Sequence, residues 1–168
     1  MGEGGFTILL DGRKLRTPAK AALIVPTRAL AEACAAEWAG QGDRIDPATM
    51  LFTKLANTAI DRVGPDRDRI TAEILEYAGS DLICYRAESP EALAARQRGL
   101  WDPVIDWART ALDAPMQTRI GISHVTQPST AIAAIGKALS GLSDFELSAF
   151  YTIMTITVQA ALQRTIEH

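Results

Sequence analysis

The sequence predicts an α+β fold: a small antiparallel β-rich N-terminal domain packed on a larger, mostly helical C-terminal domain. Three observations carry this. Phe6, Ile8 and Leu10 alternate with Thr7 and Leu9, a strand period found ahead of Pro26. Beyond Pro26 apolar residues recur at helical spacing, in segments opened by cap residues and closed by glycine or proline. The chain has 168 residues, 48% hydrophobic and 22% charged, a globular balance large enough for one large domain or two small ones sharing a core. The boundary is expected near residue 45. Residues 1–45 would form a β-meander plus a covering helix, and residues 46–168 a helical domain with one or two short strands.

Taken in order, Asp11-Gly12 tolerates positive φ and signals a two-residue hairpin turn, with Arg13 to Arg16 as the return strand. Thr17-Pro18 breaks that strand, because the residue before proline is driven to extended geometry. Ala21 to Val25 forms a third run, closed by Pro26. Such a meander cannot stand alone and needs a helical cover. Thr27 is an N-cap, and Leu30, Cys34 and Trp38 share one stripe of the helix that follows, stopped by Gly40 and Gly42. Asp46 caps with Pro47 in the first helical position, and Leu51, Leu55, Ala59 and Val63 lie along one side of the next helix. Gly64-Pro65 interrupts it. Ile70, Ile74 and Tyr77 stripe a third helix, ended by Gly79.

Leu82 to Tyr85 is the best later strand candidate. From Ser89-Pro90-Glu91, an apolar phase through Leu93, Leu100, Trp101, Val104, Ile105, Ala108 and Leu112 continues across Pro103, as a kinked helix or a tight restart. Ile120 to Val125 reads as a short strand or an extended connector. Ser129 begins a small helix, with Ile132, Ile135 and Leu139 inward, ended by Gly141. Ser143 to Glu146 is a capping box. The last helix is apolar nearly all round (Phe145, Leu147, Phe150, Ile153, Met154, Ile156), which predicts central burial.

Composition excludes several functions. A net charge of −3 argues against a general nucleic-acid binder. The uncharged run Leu147 to Gln163 is short and too polar for a membrane span, so no stable insertion is expected. The start, Met-Gly-Glu-Gly-Gly-Phe, has neither an apolar signal core nor an Arg-rich transit stretch. Cys34 and Cys84 form no C-x-x-C and read as reduced, buried thiols.

The sequence offers no catalytic candidate. Gly136-Lys137 would belong to a phosphate-binding loop only with Gly at 131 and Ser or Thr at 138, where Ala131 and Ala138 stand. His124 and His168 gather no metal-ligand set, and both read as rim or solvent histidines. Ser123 and His124, adjacent on an extended segment, point to opposite faces. Cys34 sits on an apolar stripe that quiets a thiol. Asp102 and Asp106 are one helical turn apart, with Arg98 and Arg109 near enough to neutralise them. Arg13, Lys14, Arg16 and Lys20 form a basic cluster that suits an acidic partner or edge protection. Trp38, Trp101 and Trp107 read first as core anchors, while Trp38 and Trp101 also suit a rim.

An ordered series of blocks adds to this reading: Leu15-Arg16-Thr17-Pro18-Ala19-Lys20, Ala36-Glu37-Trp38, Ile45-Asp46-Pro47, Lys54-Leu55-Ala56-Asn57-Thr58, Gly79-Ser80-Asp81, Cys84-Tyr85-Arg86 and Trp101-Asp102-Pro103. Together they resemble the assembly chaperone family for the alpha subunit of the F-type ATP synthase catalytic head. The resemblance implies a chaperone, not an enzyme, without cofactor or metal. Its implied client is the unassembled alpha subunit, met in the cytoplasm of a bacterium or the mitochondrial matrix of a eukaryote. Trp38, Trp101, Phe145 and Phe150 are the residues expected to meet that client. The resemblance fades after Thr157, where the family continues into further acidic helices, so a truncated C-terminal end is expected. The rivals are a small cleft-based hydrolase or transferase, and an interaction module with another client.

Overall fold

The computed structural model describes the backbone of residues 4–166 and the side chains of residues 4–155. The expectations placed on Ile156 and His168 therefore lie outside the described side chains. Helices and short strands mix as an α+β fold. They fall into two units: residues up to Arg67 together with those from Leu142 onward, and Asp68–Gly141. This division differs from the one placed near residue 45, because the helices that follow residue 45 pack on the elements of the meander unit and the last helix returns to it.

The first unit starts with β1 (Phe6–Thr7), β2 (Leu9–Leu10), β3 (Arg13–Lys14) and β4 (Ile24–Val25). β2 and β3 form the expected hairpin, Leu9 opposite Lys14 and Leu10 opposite Arg13. Its two turn residues have φ of 52° at Asp11 and 76° at Gly12, the mirror-image turn whose twist matches the strands. β1 pairs antiparallel with β4, Phe6 opposite Val25. Leu15 N–H donates to the Ile8 carbonyl (3.0 Å) and Leu23 N–H to the Leu15 carbonyl (3.2 Å), which stitches the meander together. The alternation expected for Phe6, Ile8 and Leu10 holds only at Ile8. Ile8, Leu23 and Val25 are buried, while Phe6 and Leu10 stay exposed. The strands are two residues long, and their one covered patch is the part facing the next helix.

That helix, α1 (Arg28–Ala39), is capped by Thr27, whose hydroxyl accepts from Leu30 N–H at 3.2 Å. Cys34 lies fully buried in the meander core with Leu30 and Ala31 beside it. The helix expected from Asp46 to Val63 arrives in three pieces: a 3-10 turn at Pro47–Thr49, α2 (Leu51–Thr58) and a π turn at Ala59–Val63, where Gly64 N–H donates back to the Ala59 carbonyl. Asp46 caps the first piece as expected. The expected stripe is corrected at its start, since Leu51 is exposed while Ala59 and Val63 are buried. The cause is Glu37 of α1. Its carboxylate accepts from Phe52 N–H (2.7 Å) and Thr53 N–H (2.8 Å), satisfying the orphan donors of α2 and fixing which face turns inward.

The long helix α6 (Asp144–Ile166) completes this unit, packed on the π turn and α2. Its capping box forms as read. Glu146 N–H donates to the Ser143 hydroxyl (3.3 Å), and the Glu146 carboxylate accepts from Ser143 N–H (2.8 Å). Arg67 bonds the Asp144 carboxylate and the Leu142 carbonyl. The all-round burial expected of this helix is corrected. Leu147 and Ser148 are buried, but Phe150 and Ile153 are exposed, because only one side meets the π turn and α2.

The second unit begins within α3 (Arg67–Ala78), which buries Ile70 and Ile74. Asp81 then caps a 3-10 turn at Leu82–Cys84, so the expected strand shrinks to β5 (Tyr85–Arg86). α4 (Glu91–Ala111) runs unbroken through Pro103. β6 (Arg119–Ile120) pairs parallel with β5, and α5 (Ser129–Ser140) ends at Gly141 as expected. A Cβ at Gly136 would meet Leu75 Cδ1 at 3.4 Å, so this glycine marks a close approach of α5 to α3 rather than a phosphate loop.

Candidate functional site

Two surfaces stand out, one in each unit. In the first unit a groove of about 600 Å³ opens beside α2. One wall is the turn after the hairpin. Thr17 N–H donates to the Ala21 carbonyl and Ala21 N–H to the Thr17 hydroxyl, which presents Pro18 and leaves Ala19 N–H free to donate to Asp61 Oδ2 at 3.0 Å. The opposite wall is α2 and its π turn. Thr53, Asn57 and Asp61 fall at i, i+4 and i+8, so three polar side chains line up beside an apolar floor that includes Ile45, Pro47 and the buried Met50. Trp38, half-buried at the end of the α1 stripe, closes one side. Arg16, Lys54 and Arg62 are exposed at the mouth.

The polar atoms of this lining are unusual. Trp38 Nε1, Asn57 Oδ1 and Asp61 Oδ1 are screened from solvent and have no hydrogen-bond partner. Leaving such an atom unpaired costs about 1–3 kcal/mol. The Thr53 hydroxyl lies against the Cys34 sulfur, outside hydrogen-bond geometry, and favours its ionised form. Burial outweighs it and raises the Cys34 thiol above the ordinary value. Both cysteines are free and buried, and burial pushes Cys84 up to about 11. Neither is poised as a nucleophile at neutral pH.

In the second unit α4 is apolar on two faces. Ala94 is buried, and Gln97, Trp101, Ile105 and Ala108 are half-buried along one side. Leu93, Leu100, Val104 and Trp107, spaced by seven, four and three residues, form a second stripe, exposed by 43%, 61%, 45% and 56%. Helical period alone does not separate the two faces, and Trp107, expected among the core anchors, is on the outside. Asp102 does not cap a new helix. It pairs with Arg86, which is buried and also donates to the carbonyls of Ile83 and Tyr85. Asp106 pairs with Arg109 at 2.8 Å.

The four aromatic residues expected to meet a partner have different surroundings. Trp38 lines the groove. Trp101 lies under the Arg86 guanidinium, 5.3 Å from carbon to ring centre. Phe145 packs on the meander core, and Phe150 is 45% exposed. Trp38, Phe145 and Phe150 belong to the first unit and Trp101 to the second. Sequence reasoning missed Asn57 and Asp61. The signal was present as Thr53, Asn57 and Asp61 at helical spacing beside the apolar stripe. Among the described residues no cluster of three or more His, Cys, Asp or Glu could hold a metal ion, and no helix is long and apolar enough to cross a membrane. His124 is exposed.

These features define an α+β protein with an apolar helix face exposed in one unit and a partly polar groove in the other. Residues 1–109 match the family model described as ATP12 chaperone protein, and the chain belongs to that family. Solved structures agree. The crystal structure of Atp12 from Paracoccus denitrificans is 42% identical, with a TM-score of 0.86, over 92% of this chain and 66% of that one. A variant of Atp12p from the same organism is 44% identical, with a TM-score of 0.83, over 89% and 64%. A protein of Agrobacterium tumefaciens is 45% identical, with a TM-score of 0.84, over 94% and 59%. The chain thus spans 59% to 66% of the length of these relatives.

Proposed function

We propose that this chain is a chaperone in the assembly of F-type ATP synthase that holds the unassembled alpha subunit until its permanent neighbour takes over. The observation that carries this reading is the outward stripe of Leu93, Leu100, Val104 and Trp107 on α4, in a chain of the ATP12 chaperone family. A subunit awaiting an obligate partner exposes apolar, aggregation-prone surface. Covering it calls for an apolar face that releases without covalent chemistry. On this reading the protein is not an enzyme. It works where the alpha subunit awaits assembly: the cytoplasm of a bacterium, or the mitochondrial matrix for a eukaryotic counterpart. Of the aromatic residues first expected to meet the client, Phe150 is exposed and Trp38, Trp101 and Phe145 are half-buried, so all four keep that role in this reading.

The test is capture of purified alpha subunit by the immobilised chain, with a Val104→Glu/Trp107→Glu variant beside it. Both side chains are largely exposed, so the variant should melt within about 0.5 kcal/mol of the parent while losing the client. Failure of the parent chain to retain the alpha subunit or to slow its aggregation would end the proposal.

A further inference from the structure

We infer that the groove beside α2 is a peptide site, which takes an extended client segment whose apolar side chain is flanked by an acidic one. This rests on the chaperone reading and locates a second contact, in the unit that lacks the α4 stripe. The chemistry of the occupant follows from the lining. An apolar floor of Ile45, Pro47 and Met50 accepts an aliphatic or aromatic side chain. Trp38 Nε1 is a donor without an acceptor, while Asn57 Oδ1 and Asp61 Oδ1 are acceptors without donors. A peptide backbone supplies both kinds of group at once, a carbonyl for Trp38 and N–H groups for Asn57 and Asp61. A hydrocarbon supplies neither, and a simple anion supplies no donor. The exposed Arg16, Lys54 and Arg62 surround the mouth with positive charge, which selects an acidic neighbour to the anchoring side chain. For the screened atoms to bond the segment, the side chains that cover them must move aside as it enters.

The unpaired atoms also give the inference its sharpest readout. A polar group held for folding destabilises the protein when removed. One held for a ligand can be removed at no cost to the free protein. Trp38→Phe keeps the ring and loses the donor; Asn57→Leu keeps the volume and loses the acceptor. The experiment tiles the alpha subunit with overlapping synthetic peptides and measures their binding to the chain by fluorescence anisotropy, alongside thermal melts of each variant.

The retained peptides should carry an apolar residue beside Asp or Glu. Trp38→Phe and Asn57→Leu should each weaken them about tenfold, the equivalent of one hydrogen bond, with melting unchanged or raised. Lys54→Glu/Arg62→Glu should weaken them further and flatten the salt dependence. Retained peptides without acidic residues, or wild-type affinity in both the Trp38 and Asn57 variants, would overturn the inference. Capture of intact alpha subunit that depends on α4 and ignores the groove variants would remove the groove and leave the chaperone reading standing. Groove-dependent peptide binding without capture of the intact subunit would do the reverse.

Discussion

The two units solve the problem of buried polar groups in opposite ways. In the second unit such groups are tied down. Arg86, 6% exposed, is held by the Ile83 and Tyr85 carbonyls, by Asp102 and by the face of Trp101. Gln127 accepts from Gln117 N–H and donates to the Gln117 carbonyl, and the Gln97 amide oxygen accepts from Ala87 N–H. The cavity of about 430 Å³ beside Arg86 is lined in part by such groups, Tyr85, Arg86 and Gln97, whose side chains are already engaged. The first unit has a continuous apolar core of Ile8, Leu23, Val25, Cys34 and Ala56, and it is there that Trp38, Asn57 and Asp61 keep unpaired atoms. A satisfied polar network specifies structure. Unsatisfied groups at a groove mark the place where the fold leaves contacts for something else to make.

Mutations can break that contrast or sharpen it. Leu23→Ala should have the largest effect. Leu23 is 1% exposed at the centre of the meander core, and the resulting cavity should cost about 3 kcal/mol in chemical denaturation. Arg86→Met should follow, at about 2 kcal/mol, because the Ile83 and Tyr85 carbonyls lose their donor. The cost is held down because Asp102 is half-exposed and can be hydrated once its partner is gone. A neutral outcome would mean that the second unit does not depend on its polar network. Removing an unpaired group should cost far less: Asn57→Leu is expected within about 0.5 kcal/mol of the parent or slightly above it.

Changes of pH act on single groups in each unit. Hydrogen bonds from the Ser143 backbone and hydroxyl hold the Glu146 carboxyl below its ordinary 4.5. A depressed folded value stabilises above 4.5 and is lost as the pH falls through it. The protection of amides at the start of α6, measured against intrinsic exchange at each pH, should therefore fall in acid. Cys84 behaves in the opposite sense. Its folded value is raised to about 11 from 9.0, so its contribution is whole below 9.0 and lost as the pH climbs towards 11, where thiol labelling of the second unit should begin. Labelling of native Cys84 at pH 8 as fast as a free thiol would contradict its burial.

Much of the fold could be read from single residues because the signals are local. Asp11-Gly12 demanded its turn, Thr27 and Asp46 capped what they precede, and Ser143 with Glu146 formed the capping box. The losses occurred where a distant residue intervened. Glu37 reset the start of α2 from fifteen positions away in the chain. Arg86, sixteen positions away, pairs with Asp102 in place of the expected Arg98. Leu93, Leu100, Val104 and Trp107 have the period of a buried stripe, and period alone does not say whether a neighbour is present. The groove was illegible for a related reason. Trp38 and Pro18 reach it from other elements, and only Asn57 and Asp61 carried a readable spacing.

By itself the sequence determined the fold class, the hairpin, the starts of α1 and α6 and the order of blocks that marks the family. These depend on backbone preferences and side-chain hydrogen bonds spanning a few residues. The tertiary structure alone decided which apolar face of α4 stays uncovered, which polar atoms beside α2 remain unpaired, and where the chain divides into units. Burial and hydrogen-bond satisfaction are properties of neighbours in space, and those neighbours come from segments that the linear order keeps apart.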